Sequence, residues 1–305
     1  MYIDHFGMRE LPFTLTPNTH FFLQLPTHQE ALNLLLVALG SGDGFIKVVG
    51  EVGTGKTMLC RTLLNTLDEE PCITAYIPNP YLSPEALRRN FALEIGIENA
   101  LELPDFELVN RINLRLVEIA KEGMYTVLIV DEAQAMPEES IEALRLLTNL
   151  ETESEKLFQV VLFGQPELDQ LLSRASLRQL LQRITFSYRL QTLSVEAVGH
   201  YLEQRANRAG YEGLSLFSPP ASRCIAKASK GVPRLVNILA HKSLMSAFGL
   251  GDSVIKKQHV IKAINDTEGV DIPAIAGVVK WLLGSAIMTG SFCGLLYWAL
   301  MRGLI

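Results

Sequence analysis

The chain has 305 residues, enough for two domains and a further segment. Its 27 Lys+Arg against 33 Asp+Glu leave a net charge of −6, which argues against broad nucleic-acid binding through a basic face. A 48% apolar content excludes a disordered chain, and the four scattered cysteines, with no CxxC pair, argue against a disulfide scaffold or a Cys-rich zinc site and fit thiols kept reduced in a cytosol.

The opening MYIDHFGMRELPF lacks the basic and apolar regions of a secretory signal. Thr27-His-Gln-Glu30 reads as a capping box ahead of a first helix running to Leu39. FIKVV (45–49) is a β-rich run leading into a glycine loop, and MLCRTLLNTL (58–67) reads as the helix behind it. ITAYI (73–77) is the second strand, followed by helical patterns over 84–96 and 106–122. TVLIV (126–130) is apolar throughout, as a strand covered on both faces should be. A helix over 137–150, the strand LFQVVLF (157–163), a helix near 166–173 and the strand ITFSYRL (184–190) complete the series. Strands alternate with helices, so the fold class is α/β with a parallel sheet.

Past Ser194 the β signal nearly disappears. Ser194 suits a helix N-cap, Ser218-Pro219 opens a second helix, Val232-Pro233 a third running to about Phe248, and 257–265 reads as a fourth. The expected organisation is a core over 1–190, a helical lid over 191–268, a linker over 269–280 and a membrane span over 281–301. That span, WLLGSAIMTGSFCGLLYWALM, carries no charge, and Trp281, Tyr297 and Trp298 lie near its ends. It accounts for a mean hydropathy of +0.20. Ala286, Gly290 and Gly294 recur every four residues on it, a spacing that permits close helix–helix approach in lipid.

The chemistry concentrates in two segments. Gly50-Glu51-Val52-Gly53-Thr54-Gly55-Lys56-Thr57 matches the eight-residue phosphate-loop pattern and lies between a strand and a helix, as that loop requires. Its glycines let backbone N–H groups turn toward phosphate oxygens, and the helix adds its positive end. Lys56 suits the β- and γ-phosphates of ATP, and Thr57 offers a hydroxyl to Mg²⁺. VLIVDEA (127–133) is an apolar strand ending in two carboxylates. Asp131 suits the Mg²⁺ shell, and Glu132 suits activation of the attacking water.

Five further residues stand at positions of interest. Gln165 follows the strand 157–163, where a polar group meets ligands in doubly wound sheets. Arg178 and Arg183 lie just before the last strand, as either surface or catalytic cations. Arg234 opens a helix, where a cation gains nothing from the helix dipole. Asn79 reads equally as a partner of Glu132 or as a plain turn residue.

Taken in order, HFGMRELPFTLTPN, GEVGTGKT, VLIVDEAQAMP, LFGQPEL, LRQLLQRITFSYRL and GVPRLVNILAH resemble AAA+ ATPases of the general secretion pathway A type. The resemblance covers residues 1 to about 268 and extends to the branch associated with mannose-sensitive haemagglutinin type IV pilus biogenesis. It implies a parallel sheet of order 5-1-4-3-2, an all-helical lid and ring-like homo-oligomers. It also implies roles: Gln165 as sensor 1, Arg183 as the finger reaching a neighbour's nucleotide, Arg234 as sensor 2. The expected partners are other copies of the chain, membrane proteins of a pilus or secretion machine, and the inner membrane, with the ATPase part in the cytoplasm and no nucleic acid. The longer secretion ATPases carry a peptidoglycan-binding region after the membrane helix, so wall contact by this chain is expected to need a partner. Two other readings share the core: a DNA-associated transposition-helper ATPase, against which the net charge and the apolar span stand, and a scaffold that binds nucleotide without turnover, against which Glu132 stands.

Overall fold

The computed structural model describes residues 2–14, 26–42, 44–148 and 157–270. They form two compact units: the described residues of Pro12–Leu193 with Val232–Asn237, and residues 2–11 with Ser194–Gly231 and residues 238–270.

The first unit is built on five parallel strands, β1 (Phe45–Gly50), β2 (Cys72–Ile77), β3 (Tyr125–Val130), β4 (Phe158–Gly164) and β5 (Ile184–Leu190), in the order β2-β3-β4-β1-β5. This is the predicted order, read from the other edge. All residues of β1 and β4 are buried, which is why their sequences show no polar alternation. Side chains alternate between two apolar layers. Phe45, Val49, Leu128, Val130, Val160 and Leu162 face one of them, which α4 (Pro84–Glu94), α5 (Asp105–Lys121) and α6 (Glu138–Leu147) help to fill. Ile46, Val48, Val127, Ile129, Val161 and Phe163 face the other, with α2 (Pro26–Gly40) and α3 (Lys56–Leu67).

The predicted capping box is corrected. Helix α2 already includes Pro26, so Thr27 lies inside its first turn rather than at the cap. Proline is suited to that first position because it has no N–H to satisfy and its φ is preset. The Glu30 carboxylate is drawn elsewhere, accepting from Tyr188 Oη at 3.0 Å. No hydrogen-bond partner reaches the buried Thr27 Oγ1 among the described residues.

A charged side chain is buried within β1. Lys47, in the middle of β1, is 8% exposed, and its Nζ donates to Asp169 Oδ1 at 2.5 Å. Asp169, on α7 (Glu167–Leu172), also accepts from Arg189 of β5 at 2.6 Å through its other oxygen. Removing the carboxylate leaves a buried ammonium uncompensated, so Asp169→Ala is expected to destabilise the protein by about 2–3 kcal/mol, below the usual cost because Asp169 is partly exposed. Urea unfolding monitored by circular dichroism measures this.

In the second unit the predicted helices are present as α9 (Val195–Arg208), α10 (Pro219–Ser229), α11 (Pro233–Gly249) and α12 (Lys257–Asn265). Ser194 caps α9, its Oγ accepting from the Ala197 amide at 3.1 Å. Two boundaries differ from the expected ones. Residues 1–11, expected in the core, belong to this helical unit: α1 (Tyr2–His5) places Tyr2 Oη 2.8 Å from His241 Nδ1, and the Arg9 amide donates to the Ala209 carbonyl at 2.7 Å. Conversely, Val232–Asn237 belongs to the sheet unit. No helix among the described residues is long and apolar enough to cross a membrane. The predicted span at 281–301, its small-residue stripe and the linker beyond residue 270 lie outside the described residues.

Candidate functional site: a phosphate loop at the carboxyl ends of the strands

Because the sheet is parallel, the carboxyl ends of β1, β3 and β4 lie side by side, and the segment leaving each carries one part of the site. This is the end at which open α/β sheets bind ligands.

The loop leaving β1 turns through Gly53 (φ 81°) and Gly55 (φ 100°), both left-handed conformations that disfavour any side chain. Both positions are also crowded. A Cβ at Gly53 would stand 2.7 Å from Arg234 Cβ, and one at Gly55 would stand 2.6 Å from His28 Nε2. The Thr54 hydroxyl ties the loop internally, donating to the Glu51 carbonyl at 2.8 Å. His28 Nε2 lies 3.0 Å from the Thr54 carbonyl, so α2 braces the loop from outside. Burial holds the His28 imidazole below its ordinary pKa, which favours the neutral ring.

Lys56 opens α3 and is 5% exposed; its Nζ donates to the carbonyls of Gly50 at 2.7 Å and Glu51 at 3.0 Å. Burial lowers its pKa, while the carboxylates of Glu132, Asp131, Glu51 and Glu167 act in the opposite direction. One residue on, Thr57 Oγ1 donates to Asp131 Oδ2 at 2.9 Å, joining the phosphate loop to the end of β3. Asp131 is 3% exposed, and burial raises its pKa against the Thr57 hydroxyl and the Glu132 amide, which favour the charged form.

Glu132 adopts a left-handed backbone (φ 52°, ψ 37°) as the chain leaves β3. Its Oε2 accepts from Gln134 Nε2 at 2.6 Å and from Gln165 Nε2 at 2.9 Å. Gln165, at the end of β4, is thus brought to the Glu132 carboxylate. Asn79 is not: its Oδ1 accepts from the Tyr81 amide at 3.4 Å, the arrangement of a turn residue.

Arg234 and Arg183 have different surroundings. The Arg234 amide donates to the Gly53 carbonyl at 3.2 Å, which sets this residue directly against the phosphate loop. Arg183 precedes β5 at the opposite end of the sheet, since Ile184 pairs with Phe45 whereas Leu190 pairs with Gly50. At about 3.3 Å per residue the strand separates Arg183 from the loop by roughly 20 Å. Its nearest polar partners are on α6 and just beyond it: Thr148 Oγ1 at 3.4 Å, and the charge of Glu142. Arg178 is exposed on α8 (Arg178–Leu181).

The sequence reading missed Gln134 and His28 as parts of this site. Gln134 stands two residues after Glu132 in the same motif, but its function depends on β4 lying next to β3, which local spacing does not announce. His28 lies between Thr27 and Glu30, whose spacing alone reads as a capping box.

Residues 39–172 match the family model described as an AAA domain. This stretch of the chain carries an AAA domain. The chain is 40% identical over 274 residues to General secretion pathway protein A of Aeromonas hydrophila, a stretch covering 88% of this chain and 49% of that protein. The chain therefore spans about half the length of the relative it matches. Among solved structures it is similar to the Aeropyrum pernix ORC2 protein in ADPNP-ADP complexes (TM-score 0.59, 16% identity, 84% of this chain and 73% of that one). It is also similar to CDC6P from Pyrobaculum aerophilum (TM-score 0.59, 20% identity, 87% and 70%) and to Drosophila ORC bound to DNA (TM-score 0.59, 17% identity, 80% and 63%). At these identities the likeness is one of fold.

Proposed function

We propose that this ATPase hydrolyses Mg²⁺-ATP to assemble or remodel a membrane-embedded pilus or secretion machine, acting as an oligomer tethered to the inner membrane with its ATPase part in the cytoplasm. The observation that carries the chemical half of this reading is the 2.9 Å bond between Thr57 and Asp131, which makes one site of the phosphate loop and the acidic strand end. The donor set fits the ion. A hydroxyl and a carboxylate are hard oxygen ligands, and Mg²⁺ is ordinarily held by one or two such groups together with substrate phosphates and water. The described residues contain no cluster of three or more His, Cys, Asp or Glu that would form a protein-only cage. When bound, Mg²⁺ neutralises charge on the phosphates.

The chain's own groups then divide the work. Backbone amides of Gly50 to Thr57 cradle the phosphates, and Lys56 exchanges its two carbonyl partners for β- and γ-phosphate oxygens. Glu132 takes the proton of the attacking water, and Gln165 orients that water or touches the γ-phosphate. Arg234 approaches the nucleotide from beside Gly53, and Arg183 serves a neighbouring subunit. Lys56→Ala is expected to abolish ATP binding, because loss of the buried ammonium leaves the β/γ-phosphates without their cation. Equilibrium binding of a fluorescent ATP analogue tests it, and wild-type affinity in the variant defeats the site assignment.

The membrane half rests on the charge-free span at 281–301 and on the similarity to General secretion pathway protein A. Carbonate extraction of membranes holding the full chain is expected to leave it in the pellet. Recovery in the supernatant removes the tether from the proposal.

A further inference from the structure

Glu132 is held by more contacts than a carboxylate at a strand end needs. Apart from glycines, only Glu132 and Lys230 have positive φ among the described residues. Lys230 ends α10, where the left-handed conformation is a common helix terminator. Glu132 lies at no α-helix terminus, and such a strained conformation persists only where the surroundings impose it. Here the surroundings do impose it. The Glu132 amide donates to Asp131 Oδ1 at 2.9 Å, and its carbonyl accepts from the Ala135 amide at 2.8 Å. The side chain is fixed from the other end by two amides on the same oxygen.

Gln134 completes a closed circuit. Its Nε2 donates to Glu132 Oε2 at 2.6 Å, while its Oε1 accepts from the backbone amide of Gln165 at 2.9 Å. Only one orientation of the amide satisfies both bonds, since a carboxylate can only accept and a backbone N–H can only donate. Gln165 returns to Glu132 through its own side chain at 2.9 Å. Gly164 stands close by: a Cβ there would come 3.3 Å from Gln134 Oε1 and 2.6 Å from Leu168 Cδ2. The glutamine at 134 therefore reads the position of the β4 terminus with one end and grips the carboxylate with the other.

We infer that Gln134 is a positioning residue that locks the Glu132 carboxylate to the end of β4, so that Oε2 is occupied by two amides and Oε1 is the oxygen presented to water. This rests on the ATPase reading above, with Glu132 as base. Movement of Gln165, the residue placed to meet the γ-phosphate, then passes to the base both directly and through the Gln134 side chain.

The test uses the full chain and two variants, Gln134→Ala and the nearly isosteric Gln134→Met, which keeps volume and removes both hydrogen bonds. Steady-state ATP turnover gives kcat and KM, a fluorescent ATP analogue gives Kd, and amide exchange at Gln165 is followed in nucleotide-free protein. The expected result is a kcat lowered by about 10–100-fold, on the scale of an ångström's misplacement of a catalytic group, with KM and Kd within about threefold of wild type. Exchange at the Gln165 amide should quicken by about tenfold in both variants, matching the loss of one hydrogen bond. Adding Gln165→Ala to Gln134→Ala should cost far less than the product of the two single effects, because both act on one carboxylate. A kcat within threefold of wild type, a change confined to KM, or an unaltered Gln165 exchange rate overturns the inference. If wild-type protein itself shows no turnover, the ATPase reading is what has failed, and the exchange rate alone decides whether Gln134 holds the end of β4.

Discussion

Glu132→Gln is expected to bind ATP as wild type does and to lose turnover by about 10²-fold or more, the usual contribution of a positioned general base. The geometry explains why binding should survive. The amide oxygen of the substituted residue can take the place of Oε2 between Gln134 and Gln165, so the side chain keeps its pose. The NH₂ group then stands where Oε1 was, and it has no lone pair with which to take a proton from water. The measurement is phosphate release under saturating ATP beside equilibrium binding of an ATP analogue. Undiminished release would remove Glu132 from the role of base.

Arg183→Ala is the second variant with a large expected effect. The register of β5 against β1 puts this side chain at the amino end of the strands, out of reach of its own subunit's phosphate loop. In the proposed role it therefore serves a nucleotide in another copy of the chain, the arrangement the family resemblance implies. Arginine fingers supplied in trans contribute about 10³–10⁵ in rate in the best-studied GTPase case. Turnover should therefore fall by a large factor while the variant folds and binds ATP, since its contact with Thr148, at 3.4 Å, is a weak one. Mixing Arg183→Ala with Lys56→Ala, each inactive alone, should restore part of the activity where an intact loop meets an intact arginine. A mixture that co-assembles and stays inactive rules the assignment out, and Arg178, exposed on α8, becomes the residue to test.

The sheet was legible because its central strands are buried on both faces, so β1, β3 and β4 appear as largely apolar runs followed by glycine or acidic residues. The phosphate loop was legible for a different reason. Its glycines, Lys56 and Thr57 act through backbone geometry and chemistry that eight consecutive residues contain. Relations between distant segments were not legible. Thr27 and Glu30 have the spacing of a capping box, yet Tyr188, brought alongside by β5, claims Glu30. Asn79 was an open alternative until the turn at Tyr81 accounted for it. Gln134 shows no local signal, because the bond that its Oε1 accepts from the Gln165 amide depends on β4 lying beside β3. Val232–Asn237 reads as the start of a helix in the lid, while the bond from Arg234 to Gly53 assigns it to the sheet unit.

The strand order also carries a cost during synthesis. β1, which launches the phosphate loop, is among the first strands to leave the ribosome, but its two neighbours are β4 and β5, encoded more than about a hundred residues later. At translation rates of about 5–20 residues per second, the strand waits on the order of ten seconds for a partner. Throughout that interval Phe45, Ile46, Val48 and Val49, all fully buried in the finished molecule, are exposed on the nascent chain. Early chaperone capture is thus expected at residues 45–50, with release only after β5 has emerged.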